Sequence, residues 1–351
     1  MKAYVLHGIG DYRYEEVQKP CTAVGTVLVH VKAAGICGSD IPRIYRTGAY
    51  QHPLIPGHEF AGEVVEVAGE GISSSLVGKR VGVFPLIPCM SCPQCQKKQY
   101  EMCSSYSYLG SRTNGGFAEY VQVPEWNLIA LPDSVTMEQA AMMEPMAVAV
   151  HAIRRACPSH TDKIAVCGLG TIGLCIAMFL QEMGCRELYV AGNKDFQRNM
   201  AENIGIQGEN YCDIRYEDFP GWILDKTGGM GVNIFFDCVG KNDVLKQGIR
   251  SLCVEGRMML VGNPASDVAL EKNLYWKILR NQIRLIGTWN SSFTHEENDD
   301  WHYVLKRLEE GKVNPEKLIT HRMSMESFME GFQIMHTKSE DYIKIMMLCE
   351  E

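Results

Sequence analysis

A chain of 351 residues with 46% apolar residues exceeds one average domain and carries enough material for more than one packed core. A formal net charge of −8, with no long run of Lys or Arg, argues against nucleic acid or an anionic membrane as the main partner and leaves a small molecule. Met1-Lys2-Ala3-Tyr4-Val5 passes into strand-like sequence without an apolar leader. The expectation is a soluble, cytoplasmic protein whose fourteen cysteines serve as thiols and metal ligands rather than disulfides.

From the start to about residue 143, short β-type runs at Val27 to Val31, Gly62 to Val67 and Ala118 to Val123 alternate with Gly/Pro-rich loops, which predicts an irregular, mostly β domain. Within it stand Cys37, Ser39 and Asp40, then His58 and Glu59, and Glu144 follows at its end. One Cys, one His and one carboxylate fill three positions of a zinc site and leave a fourth open. Each also has an ordinary reading, as a buried thiol, a core histidine or a helix-start acid, and spacing alone does not join them. Cys89, Cys92, Cys95 and Cys103 are more tightly patterned, as C-x2-C-x2-C-x7-C beside Pro88 and Pro93. Four thiolates can close a tetrahedral structural zinc site. A ferredoxin-type cluster fits less well, because the last spacing is seven residues and no Pro follows.

Beyond residue 145 the texture changes. Runs at Lys163 to Cys167, Leu188 to Ala191, Asn233 to Asp237, Arg257 to Val261 and Leu285 to Thr288 alternate with helix-length segments, predicting a parallel sheet with crossover helices over 145–288. Gly168-Leu169-Gly170-Thr171-Ile172-Gly173 follows the first of these runs and opens an apolar helix, the context in which G-x-G-x-x-G binds a dinucleotide pyrophosphate. The second run ends at Gly192, where an NAD-binding site carries an acid, and Asn193, Lys194 and Arg198 come next. The missing acid and the nearby basic residues favour NADP(H) over NAD(H), with Asp195 as the one residue that could serve an NAD ribose instead. Residues 289–351 are too few for a core of their own and are expected to rejoin the first domain.

Taken in order, Cys37-Gly-Ser-Asp40, Gly57-His58-Glu59-Phe60-Ala61-Gly62, the four-cysteine lobe, Glu144-Pro145 and the glycine motif resemble the zinc-containing medium-chain dehydrogenases over nearly the whole chain. The one departure is Val67-Ala68-Gly69-Glu70-Gly71, which is one residue longer than the usual turn. The resemblance implies an α/β architecture: a GroES-like β-rich catalytic domain (1–144 and 289–351) and a doubly wound Rossmann domain, with the active site in the cleft. It also implies a homodimer or homotetramer. In the polyol branch, residues matching Cys37, His58 and Glu144 ligate the catalytic zinc, and the residue matching Glu59 stands close by as an alternative ligand. Ser39 would relay the alcohol proton and Asp40 would orient the His58 ring. With the four-cysteine site, that makes two Zn²⁺ per chain.

Cys37 to Ile44, Gly110-Ser111-Arg112 and Gly115 to Tyr120 most resemble the branch acting on galactitol 1-phosphate. Arg43, Arg46 and Arg112 are the candidates for a substrate phosphate. The expected substrate is thus a sugar alcohol or its phosphate ester. An NADP-linked secondary-alcohol, butanediol or threonine dehydrogenase is the alternative enzyme. A zinc-binding structural protein of the same fold is the non-enzymatic alternative, and the open three-ligand set argues against it.

Overall fold

The computed structural model describes residues 1–68 and 73–349, so the long turn singled out above lies, from Gly69 to Gly71, outside the described residues. The chain divides into two compact units, residues 1–144 with 292–351, and residues 145–291.

The first unit is organised on one long strand. β1 (Lys2–Gly8) and β2 (Asp11–Glu16) form an antiparallel hairpin, and β3 (Thr26–Gly35) follows. β3 pairs antiparallel with β4 (Glu59–Val67), which pairs with β5 (Arg80–Val83). β6 (Leu86–Ile87) and β7 (Ser107–Tyr108) make a small separate ribbon. β8 (Tyr120–Pro124) adds to β3, and β9 (Leu128–Ala130) to β5. β3 forms because Thr26-Val-Leu-Val-His-Val31 is rich in β-branched residues suited to a pleated surface. Its Val27, Val29 and Val31 join Phe60, Val64, Phe117, Phe328 and Phe332 in one core. A helix over Met137–Ala141 is set by a reciprocal capping box between Thr136 and Gln139. The next helix, Met143–Ala156, carries Glu144 in its first turn.

The second unit holds β10 (Ile164–Cys167), β11 (Leu188–Gly192), β12 (Tyr211–Asp213), β13 (Val232–Asp237), β14 (Leu252–Leu260) and β15 (Arg284–Gly287). Their order in the sheet is β12-β11-β10-β13-β14-β15 and every pairing is parallel. This is the doubly wound order, in which the direction of winding reverses between β10 and β13 and ligands bind beyond the carboxyl ends of the strands. The Rossmann expectation therefore holds. β12 is a strand that sequence reading passes over, since three residues are too few to show a period.

The chain then returns. β16 (Ile319–Ser324) pairs with β17 (Lys344–Leu348), and β17 lies antiparallel to β3 with Met346 opposite Gly35. Phe328, Phe332, Ile345 and Met347 complete the core that the first residues of the chain began. Among the described residues, no helix is long and apolar enough to cross a membrane.

Candidate metal centres and dinucleotide site

The end of β3 and the start of β4 are register partners, Gly35 opposite Glu59, and that pairing gathers the residues on either side. Cys37, His58 and Glu59 each offer a donor atom within 4.8 Å of the other two. Gly57, at φ +98°, turns the chain into His58, and a Cβ on Gly115 would lie 2.0 Å from the Gly57 carbonyl oxygen. Only glycine permits that approach, and it brings in the segment bearing Tyr108. The Tyr108 ring meets His58 edge-on at 5.8 Å between centroids, and its hydroxyl donates to the Glu144 carboxylate at 3.2 Å. On the far side, the buried Lys344 of β17 donates to the Glu59 carboxylate and, at 3.0 Å, to the carbonyl of Ile36.

Glu59 and Glu144 are thus buried near the half-buried Cys37, with Lys344 as a buried counter-charge. Burial pushes the Cys37 thiol up to about 12, with the Glu59 and Asp40 charges adding to the shift. Burial also raises the Glu144 carboxyl to about 7. Packing acids together in a dry site is costly unless a cation compensates. His58 Nδ1 is moreover buried with no hydrogen-bond partner. A sulfur, an imidazole nitrogen and a carboxylate oxygen that need positive charge fit a zinc site with an open position.

The structure ranks the carboxylates differently from the sequence. Glu59 belongs to the close set of three, whereas Glu144, expected as the third ligand, lies in the same pocket outside that set. Asp40, expected to orient His58, stands 3.6 Å from Nδ1, beyond hydrogen-bond reach. It instead accepts the Cys37 backbone N–H at 3.0 Å and binds Arg43. Arg43, a candidate for the substrate phosphate, is thus ion-paired with Asp40. Arg46 is exposed on the short helix Arg43–Thr47. Arg112 stacks between Tyr106 and Tyr50, at 4.3 and 4.5 Å from their centroids, and donates to the Tyr106 carbonyl. The exposed Ser39 hydroxyl donates to Cys37 Sγ at 3.3 Å. Sequence reading missed Lys344 and Tyr108. A lysine inside the apolar run Ile343 to Leu348 was the available signal for the first, and nothing local marked the second.

Cys89, Cys92, Cys95 and Cys103 also converge. Their sulfurs lie 3.5 Å (Cys92 to Cys95), 3.9 Å (Cys89 to Cys95) and 3.9 Å (Cys92 to Cys103) apart. Tetrahedral zinc with Zn–S of about 2.3 Å requires sulfur separations of about 3.8 Å. Backbone N–H groups of Cys89 and Cys92 point at the Cys103 and Cys89 sulfurs. Neighbouring donors hold the Cys89 thiol down to about 7 and the Cys92 thiol to about 5, whereas burial pushes the Cys95 thiol up to about 12. The lobe fits a closed metal site.

In the second unit, β10 runs into Gly168 at φ +97°, and the helix Thr171–Glu182 begins at Gly170 with no side chain capping it. A Cβ on Gly173 would stand 2.0 Å from the Gly168 carbonyl oxygen, while one on Gly170 would meet nothing within 4 Å. Leu169, by contrast, is buried. Thr171 and Ile172 complete the first turn, so tight packing behind and open space in front leave this helix start fit for a pyrophosphate. At the end of β11, a Cβ on Gly192 would lie 2.6 Å from the Tyr211 hydroxyl and 2.8 Å from Gln197 Oε1. Both contacts are with side-chain ends, so an acid there would require Tyr211 and Gln197 to shift. Gln197 Oε1 accepts the Asn193 N–H, the Tyr211 hydroxyl donates to the Lys194 carbonyl, and the Arg198 guanidinium lies 4.4 Å from the centroid of the Tyr211 ring. Asp195 opens the next helix and is ion-paired with Arg215.

Two family profiles match the chain: "Alcohol dehydrogenase GroES-like domain" over residues 23–133 and "Zinc-binding dehydrogenase" over residues 171–310. The chain is 30% identical to galactitol 1-phosphate 5-dehydrogenase of Escherichia coli K12 over 306 residues, covering 87% of each chain. It is 31% identical to sorbitol dehydrogenase of Halalkalibacterium halodurans over 351 residues, covering 99% of each. The crystal structure of galactitol-1-phosphate dehydrogenase from Escherichia coli superposes with a TM-score of 0.92 at 29% identity, over 99% of this chain and 100% of that one.

Proposed function

Because the chain belongs to the zinc-dependent medium-chain alcohol and polyol dehydrogenases, we propose that its substrate is a sugar alcohol or sugar alcohol phosphate, oxidised at a secondary hydroxyl with NADP(H) preferred and two zinc ions per chain. The observation that carries the reading is the convergence of Cys37, His58 and Glu59 on one point, with Glu144 across the same pocket. The four-cysteine lobe would hold the second, structural ion.

When bound, the metal supplies Lewis acidity that eases loss of the alcohol proton, and the nicotinamide supplies the ring that accepts hydride. The rest falls to the chain. Cys37 and His58, with Glu59 or Glu144, would hold the catalytic zinc, and the Ser39 hydroxyl, exposed beside Cys37, would pass the proton outward. Asp40 fixes the backbone of Cys37, Lys344 holds Glu59, and Tyr108 holds Glu144. The helix start at Gly170 would take the pyrophosphate, and Lys194 and Arg198 the adenosine 2′-phosphate.

For the substrate phosphate, Arg112 is the first candidate to test, with Arg43, which binds Asp40, and the exposed Arg46 beside it as the others. Two flanking tyrosines restrict its guanidinium, and the rings of Tyr106 and Tyr108 link it to His58. The test compares kcat/KM for a hexitol and its phosphate ester in wild type and Arg112→Ala. The phosphate ester should be preferred, and the variant should lose roughly 10-fold or more of that preference, as a charge-assisted hydrogen bond predicts. Equal efficiency on both compounds in the wild type would remove phosphate recognition from the reading.

A further inference from the structure

The sequence offers one acid, Asp195, that could bind the ribose of NAD(H) near the end of β11. In the fold it is not left to do so. β12 lies beside β11 with Asp213 opposite Gly192, which sets the turn after β12 next to the turn after β11. From that turn Arg215 spans two carboxylates. Its Nε and Nη2 bind Asp213 in a fork, at 2.9 and 2.6 Å, and Nη2 also binds Asp195. The Asp195 side chain is 82% exposed and Arg215 33%, so the pair sits at the rim, open to a ligand. Asp213 is buried and anchors the guanidinium from behind.

We infer that Arg215 is a cofactor-selectivity residue that acts in two ways, by occupying the Asp195 carboxylate and by presenting a guanidinium to the adenosine 2′-phosphate. This extends the NADP(H) reading, which rests on Gly192, Lys194 and Arg198, to a residue in the turn after a different strand. A free carboxylate beside the ribose favours the 2′-hydroxyl and repels a phosphate, and an arginine on that carboxylate reverses both effects. The inner fork to Asp213 holds the guanidinium plane in place, so a phosphate oxygen competes only with the outer bond to Asp195. NADP(H) binding would exchange one exposed ion pair, a weak interaction in water, for an arginine–phosphate contact. Asp195 then acts as the placeholder that keeps Arg215 oriented when no phosphate is present.

The experiment measures the binding of adenosine 2′,5′-bisphosphate and of 5′-AMP by calorimetry, independently of turnover, in wild type, Arg215→Gln, Asp195→Asn and Lys194→Ala. Arg215→Gln should bind the 2′-phosphorylated ligand roughly 10-fold or more weakly and keep its affinity for 5′-AMP. Arg215→Lys should restore part of the loss. Asp195→Asn should hold the bisphosphate at least as tightly as wild type, because the competing anion is gone. Loss of both ligands in Arg215→Gln would mean that Arg215 only braces the fold, and overturns the inference. So does unchanged bisphosphate binding in Arg215→Gln alongside a loss in Lys194→Ala, which leaves the NADP(H) reading standing without Arg215. A wild type that binds the two ligands equally would bring down the NADP(H) reading itself.

Discussion

Glu59 and Glu144 compete for one role in a pocket that also holds Cys37, and their surroundings separate them. Glu59 is within 4.8 Å of both other donors but shares its charge with Lys344, whereas Glu144 has the Tyr108 hydroxyl as its neighbour. Zinc analysis of Glu59→Gln and Glu144→Gln decides between them: the true ligand's variant should retain one zinc per chain instead of two, and the other should retain both. His58→Ala should likewise drop to one zinc and lose turnover while staying folded. Cys92→Ser belongs to a different class, because a closed four-thiolate site couples metal binding to folding. Its Tm should fall by roughly 5 °C or more, given about 2–4 °C per kcal/mol for units of this size. A Cys92→Ser protein with wild-type Tm and two zincs would refute the structural assignment of the lobe. The four-cysteine cluster was readable from spacing because its members sit within fifteen residues of one another. Lys344 was not readable as a partner of Glu59, since 285 residues separate them and only the pairing of β17 with β3 brings them together.

At the level of elements, the turn from β10 into the helix Thr171–Glu182 shows how little room a dinucleotide motif leaves. Gly173→Ala would force a methyl group to 2.0 Å from the Gly168 carbonyl oxygen, so strand and helix must separate. Overpacking of this kind costs roughly 1–3 kcal/mol. The variant should show a lower Tm and weakened binding of both NADPH and NADH, whereas Gly170→Ala, with nothing within 4 Å of its Cβ, should keep its Tm and lose cofactor affinity alone. If Gly170→Ala binds both cofactors normally, the pyrophosphate does not sit there. The parallel sheet was legible because each buried strand is an apolar run bounded by turn residues. β12 escaped for the same reason, with only Tyr211 and Cys212 as buried apolar residues. Gly192 shows the limit of residue-type reasoning. The absent acid was visible in the sequence, but the Tyr211 and Gln197 side chains that an acid there would have to displace were not.

Across the whole molecule the two kinds of metal site should respond differently to chelation. The four-cysteine lobe has its Cys95 and Cys103 buried, and removing its ion leaves thiolates packed together. On the proposed reading, the set at Cys37 and His58 would keep an open position, so its ion would exchange more readily. Mild chelation should therefore remove one zinc with loss of activity and little change in Tm, and re-addition of zinc should restore turnover. Loss of both ions in a single step, with unfolding, would show that the sites are not of different character. The family and the α/β architecture were recognisable from motif order along the chain. The partners of Asp40 and Arg43 were not, because a motif gives a residue's identity and place but not which neighbour pairs with its charge.

The return of β17 to β3 also bears on how the protein is made. The contiguous unit over 145–291 has every strand it needs once those residues have left the ribosome, whereas the first unit must wait for residues synthesised some three hundred positions after β3. During that interval the nascent chain carries an incomplete sheet and a Glu59 that lacks its lysine. A product terminated after Ile343 should accordingly retain binding of adenosine 2′,5′-bisphosphate yet fail to keep the zinc at Cys37. On the proposed reading, the unit over 145–291 would be able to fold during translation, whereas the surroundings of Cys37 and Glu59 would be complete only after β17 has been delivered.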